Sequence, residues 1–228
     1  AEAVAHRRAT DIIYLGRGVS KGLADRRANV EKLQQHALPV LAAPADLAEA
    51  LGISIPRLRW LAFHNPAATR THYVRSSVPK KSGGTRELSA PHRDLARCQG
   101  WILQNILNKL PAHVAAHGFV PGRSTVTGAA PHAGSEVVVN CDLQEFFPTI
   151  TFPRVKGAFQ QLGYSPAAAT ILALLCTESP RRSVEYAGKG FHLARSPGAL
   201  PQGACTSPAL SNLIARRLDS RLSGIAAK

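Results

Sequence analysis

Val137-Val138-Val139-Asn140-Cys141-Asp142-Leu143-Gln144-Glu145-Phe146-Phe147-Pro148 is the stretch on which the fold turns. The apolar run over 137–141 predicts a short buried strand. Asp142 stands at its end, at the edge of the sheet, where an ionised carboxylate needs a cation or a hydrogen-bond partner. In a basic chain with a phosphate substrate a divalent metal is the natural partner. A turn or cap role is the plainer reading of an Asp standing alone. Phe146 and Phe147 follow within one turn, and two adjacent aromatics at a strand exit can wall a flat pocket for a base or a sugar. Core packing is expected for one of the pair.

Downstream, helices are predicted over about 154–162, stopped by Gly163, and over 166–176, where the side chains are apolar all round. Residues 182–193 read as a hairpin turning at Gly188-Lys189-Gly190. The segment Leu200-Pro201-Gln202-Gly203-Ala204-Cys205-Thr206-Ser207-Pro208 is rich in turn residues and leads into a last helix, with Ser207 as N-cap and Pro208 in the first turn. Its core stripe is Leu210, Leu213, Ile214, Leu218 and Leu222. Backbone N–H groups of this loop and the Gln202 amide could hold a nucleotide or a template strand; a plain loop-to-helix entry is the alternative.

Upstream, Tyr73 to Pro79 reads as a strand, and Glu87 to Ala90 as its partner across a tip containing Gly83-Gly84. Lys80, Lys81 and Arg86 surround those glycines. Flexible cations beside backbone N–H groups suit a triphosphate, although a solvated basic turn has the same composition. A long helix is predicted over 95–110. Two short helices over 46–52 and 56–63, joined at Gly52, have the outline of a helix-turn-helix reader or of ordinary helical packing. A further helix is predicted over 21–36. Helices and strands interleave without a regular βαβ rhythm, which predicts an α+β fold.

Lys and Arg number 28 against 14 Asp and Glu, a net charge of +14. Such a balance predicts a polyanionic partner, most often nucleic acid. Cys98, Cys141, Cys176 and Cys205 include no C-x-x-C pair, which argues against a zinc ribbon and for a reduced, cytoplasmic compartment. No apolar run is long enough for a membrane span, and His6, Arg7 and Arg8 are followed by no signal-peptide core. The chain contains no Met and stops at Lys228, which predicts a piece of a longer protein.

Four ordered segments carry a resemblance: Val78 to Arg86, Ala116-His117-Gly118-Phe119-Val120-Pro121-Gly122-Arg123-Ser124, Asp142 to Ile150, and Leu200 to Pro208. In this order they resemble the bacterial retron and group II intron reverse transcriptases over about residues 45–228. Leu58 to His64 and His72-Tyr73 place the likeness nearer the retron branch. The resemblance implies right-hand polymerase fingers and a partial palm, of mixed helices with a small antiparallel sheet: a basic N-terminal helical extension over 1–44, fingers over 45–135, palm over 136–228. It implies Asp142 as the first metal-binding aspartate, with the Leu143 carbonyl as a backbone ligand. Phe147 would lie under the sugar of the incoming nucleotide. Lys80, Lys81 and Arg86 would grip the triphosphate, and Gln202 and Gly203 would line the nucleotide pocket. Arg123, Ser124, Ser207 and Pro208 would contact template or primer.

The implied chemistry is attack of a primer hydroxyl on a dNTP α-phosphate with two Mg2+ ions, about 3.5–4 Å apart, as cofactors. The implied partners are a structured non-coding RNA and its cDNA as an RNA–DNA hybrid, with a defence effector protein beside them. Three departures stand out: no Tyr-x-Asp-Asp motif and no adjacent Asp pair occur, Cys205 replaces the usual Pro, and Gly128-Ala129 replaces Asn-Ala before His132. One aspartate cannot hold two metals, so this stretch alone is expected to be inactive. A catalytically dead RNA scaffold and a helix-turn-helix DNA-binding regulator are the competing readings, and group II intron maturase is the neighbour within the enzyme class.

Overall fold

The computed structural model describes residues 10–80 and 83–226. The chain builds an α+β fold around one buried helix. That helix, Pro166–Cys176, has Ala167, Ala168, Ala169, Ile171, Leu172, Ala173, Leu175 and Cys176 fully inaccessible to water. A helix with no polar face must be surrounded. Ser165 caps it by accepting from the Ala168 N–H at 3.1 Å, and its hydroxyl donates to the Ala42 carbonyl at 2.6 Å.

Around this axis the described helices run in chain order. They are α1 (Val30–Gln35), α2 (Pro44–Ala50), α3 (Ile55–Ala62), α4 (Arg93–Asn105), α5 (Thr125–Ala129), α6 (Phe146–Thr149), α7 (Phe152–Gln161), α8 (the central Pro166–Cys176) and α9 (Ser207–Ala226). The strands are β1 (Ala67–Ala68), β2 (Tyr73–Pro79), β3 (Thr85–Pro91), β4 (Arg181–Tyr186) and β5 (Lys189–Ala194). β2 and β3 form a two-stranded antiparallel hairpin, and β1-β5-β4 form a separate antiparallel sheet. Gln99, buried on α4, bridges the two regions by donating to the Tyr73 hydroxyl at 3.0 Å and to the Leu175 carbonyl at 2.8 Å.

Residues 10–44 join the same core through Ile12, Leu15, Leu23, Leu33, Leu38 and Leu41. The helix expected over 21–36 shrinks to α1. Gly22 takes φ +94°, and the Asn29 side chain starts α1 by accepting from the Lys32 N–H at 2.9 Å. Gly163 ends α7 at φ +111°, where an added Cβ would lie 2.8 Å from the Asn29 carbonyl oxygen, so only glycine permits this approach.

Several boundaries are corrected. The long helix ends at Asn105 and continues as a 3-10 turn, Leu107–Lys109. The second hairpin turns at Ala187-Gly188, both in the left-handed region at φ +51° and +70°. Ser207 lies inside α9, whose first bond goes from the Leu210 N–H to the Thr206 carbonyl, so Ser207 is not the N-cap. Leu218 and Leu222, expected in the core stripe, are 40% and 55% exposed. The largest difference is the predicted strand over 137–141. Those residues form no strand, and Val137, Val138 and Val139 are 78%, 58% and 80% exposed. A strand needs a neighbour to take its backbone hydrogen bonds, and among the described residues none pairs with this one.

Candidate functional site

Backbone hydrogen bonds stitch three of the four sequence segments together. The Leu200 N–H donates to the Ile150 carbonyl at 3.0 Å and the Phe152 N–H to the Gly198 carbonyl at 2.7 Å, which ties the stretch carrying Phe147 to the loop carrying Gln202. The Ser89 N–H on β3 donates to the Gln202 carbonyl at 2.6 Å, which ties that loop to the hairpin. Gly203 completes the junction at φ +123°, and a Cβ there would lie 2.9 Å from the Ser89 carbonyl oxygen. The Ser207 hydroxyl donates to the Pro201 carbonyl at 2.7 Å and holds the loop against the start of α9. Pro208 is half-buried in the first turn of α9.

The fourth segment reaches the others through α9, where the Asn212 amide donates to the Gly118 carbonyl at 2.9 Å. Arg123 turns inward in its own loop and donates to the carbonyls of His113, Val114 and Ala116. Ser124 caps α5 in a capping box with Thr127. Both residues therefore have local structural work. Ser89 and Asn212 position the site, and no local sequence signal marks them, because their roles arise from tertiary pairing alone.

Val78 faces Arg86 and Pro79 faces Thr85 across the hairpin, so its tip projects Lys80 and Arg86 into solvent. Neither side chain has a hydrogen bond or ion pair among the described residues. Lys81 lies outside the described residues. Phe146 and Phe147 are both half-buried and both pack on the core, not one of them as expected. Glu145, just before them, takes φ +48° and turns the chain sharply into α6.

Asp142 departs from expectation. It is exposed, stands on no sheet edge, and makes no hydrogen bond or ion pair among the described residues. Leu143 beside it is 52% exposed. Among the described residues no three His, Cys, Asp or Glu side chains gather as a metal cluster. Asp142 and the Leu143 carbonyl are hard oxygen donors of the kind Mg2+ takes, but they are too few for a two-ion site. No described helix is long and apolar enough to cross a membrane.

No family model matches the chain. The chain is 44% identical over 226 residues to the Retron Mx162 reverse transcriptase of Myxococcus xanthus, covering 96% of this chain and 46% of the relative. It is 47% identical over 207 residues to the Retron Mx65 reverse transcriptase of the same organism, covering 91% and 48%. It is 34% identical over 198 residues to the Retron Ec86 reverse transcriptase of Escherichia coli, covering 87% and 56%. The chain thus spans about half the length of the curated relatives it matches.

Proposed function

We infer the function from the family, for over the length it shares with them the chain belongs to the retron-type reverse transcriptases. The proposal is that it forms the fingers, over about 45–135, and the front of the palm, from 136, of an RNA-directed DNA polymerase. That polymerase would copy a structured non-coding RNA into RNA-linked single-stranded DNA. The observation that supports this most is the stitching of the hairpin, the Phe147 segment and the Gln202 loop into one surface.

In that reading each residue would have a physical task. Lys80, Lys81 and Arg86 on a glycine-hinged tip would draw in the dNTP triphosphate by charge-assisted hydrogen bonds. Phe147, held against the core by its own ring, would present a rigid wall to the sugar. Gln202, fixed to β3 through its carbonyl, would offer its side-chain amide to the nucleotide or template. Asp142 and the Leu143 carbonyl would serve one side of a Mg2+ site. Arg123, Ser124, Ser207 and Pro208 would shape the template-primer path. A defence effector protein is a partner to be sought with the RNA–DNA hybrid.

The helix-turn-helix reading finds little support. α2 and α3 bury Leu47, Ala48, Leu58 and Leu61, and Arg57 is ion-paired with Asp94 on α4. The test is primer extension on an RNA template with Mg2+, using the full-length protein. Asp142→Asn should abolish extension. Arg86→Ala should lower kcat/KM for dNTP by roughly 10- to 100-fold, the equivalent of one charged hydrogen bond of about 1.5–3 kcal/mol. Extension by Asp142→Asn at the unsubstituted rate would remove the active-site assignment. A wild-type protein that binds the RNA without extending a primer would point to the scaffold reading.

A further inference from the structure

A cleft of about 810 Å³ opens between α3, the 63–72 loop, and the segments 177–181 and 194–198. It shares no lining residue with the hairpin tip, Asp142, Phe147 or the Gln202 loop. Five arginines line it: Arg17, Arg59, Arg70, Arg181 and Arg195. The one carboxylate in its wall among the described residues, Glu178, is ion-paired with Arg75, which reaches across from β2. Among the described residues the cleft wall is therefore strongly positive, with arginines outnumbering its acidic side chains. Arg59 and Arg181 are anchored, donating to the carbonyls of Asp11 at 2.7 Å and His192 at 2.9 Å. Arg70 and Arg195 stand exposed, with no side-chain hydrogen bond or ion pair among the described residues.

The same wall carries aromatic carbon. Trp60 and Phe63 line the cleft and are 42% and 38% exposed, and the Arg57 guanidinium already lies over the Trp60 ring, 4.3 Å from its centroid. His72, edge-on to Trp60 with ring centroids 4.3 Å apart, has a buried Nδ1 without a hydrogen-bond partner. Guanidinium groups for phosphates and ring faces for bases are the requirements of a single strand. A duplex stacks its bases inside and leaves the rings unused. Inorganic phosphate would use the arginines alone.

We propose that this cleft is a second, non-catalytic nucleic-acid site that holds an unpaired segment of RNA behind the β2–β3 hairpin. The site goes beyond the polymerase reading and uses none of its residues. Its anchor on β2, through Arg75 and Glu178, sets bound RNA against the base of the nucleotide-gripping hairpin.

The test is photocrosslinking of the full-length protein to a 4-thiouridine-substituted single-stranded RNA of about 12 nucleotides, with the crosslinked peptides mapped by mass spectrometry. Crosslinks are expected on the peptides holding Trp60, Phe63 and His72. They should be lost in the Arg70→Ala/Arg195→Ala double variant, whose changes are at exposed side chains. The same variant should reduce the slope of log K against log salt by about 1.4, two phosphate contacts at roughly 0.7 each for a single strand. The crosslinks should persist in Asp142→Asn, which separates this site from the polymerase reading. Crosslinks mapping only outside the cleft, or an unchanged salt slope, would overturn the proposal. Competition by ATP as strong as that by unlabelled RNA would overturn it too, in favour of a free-nucleotide pocket.

Discussion

Gly203 is the residue on which the junction of the loop and β3 depends. Its φ of +123° is a region that side chains rarely enter, and its Cα approaches the Ser89 carbonyl too closely for a Cβ. Gly203→Ala should cost about 1–3 kcal/mol in urea denaturation and raise the KM for dNTP, because Gln202 shifts with the loop. His64 and His72 give a second prediction. Burial depresses the pKa of both, and Arg181 adds to the effect in each. The unfolded chain takes up these protons near pH 6.5, whereas the folded chain resists until lower pH. Stability is therefore retained above about pH 6.5 and lost as the pH falls from there toward the depressed values. Melting temperature measured across that window should drop, and a His64→Gln/His72→Gln protein should show a shallower drop.

Elements were legible where local signals agreed. β2 spans Tyr73–Pro79 and α8 spans Pro166–Cys176, the ranges their patterns predict, because the strand is bounded by a glycine tip and the helix by Ser165-Pro166. The short strand β1 was not legible. Its two alanines are a strand only because they pair with His192 and Leu193 of β5. Gly190 draws the predicted turn of the second hairpin too far along the chain, whereas the left-handed positions are Ala187 and Gly188. Two left-handed central residues make a turn that favours Asn-Gly, so Ala187 is the strained partner. Ala187→Asn should raise stability by about 0.5–1 kcal/mol. That corresponds to a gain of about 1–4 °C in Tm for a chain of this size, read by thermal unfolding. An unchanged or lower Tm would show that the turn is not limited by this φ.

Across the whole molecule, the legible part of the site is its chemistry and the illegible part is its assembly. Lys80, Arg86, Phe147 and Gln202 could be named from residue type and order. The bonds that join them, Ser89 to Gln202 and Leu200 to Ile150, link positions more than 40 residues apart, and nothing local encodes them. The arginine cleft was hidden for the same reason, since Arg17, Arg70 and Arg195 share no motif. The valine run is the converse case. Its pattern predicts burial, and the fold leaves it open, because an apolar run becomes a strand only when another strand accepts its hydrogen bonds. This contrast sets a gradient of local stability that amide exchange can measure. Amides of 167–176, in the helix at the centre of the core, should exchange only with global unfolding. Amides of 137–143 in the 228-residue chain should exchange close to the rate of an unstructured peptide. Slow exchange at Val138 and Val139 would mean that a partner strand forms in solution, and that Asp142 is held at a sheet edge after all.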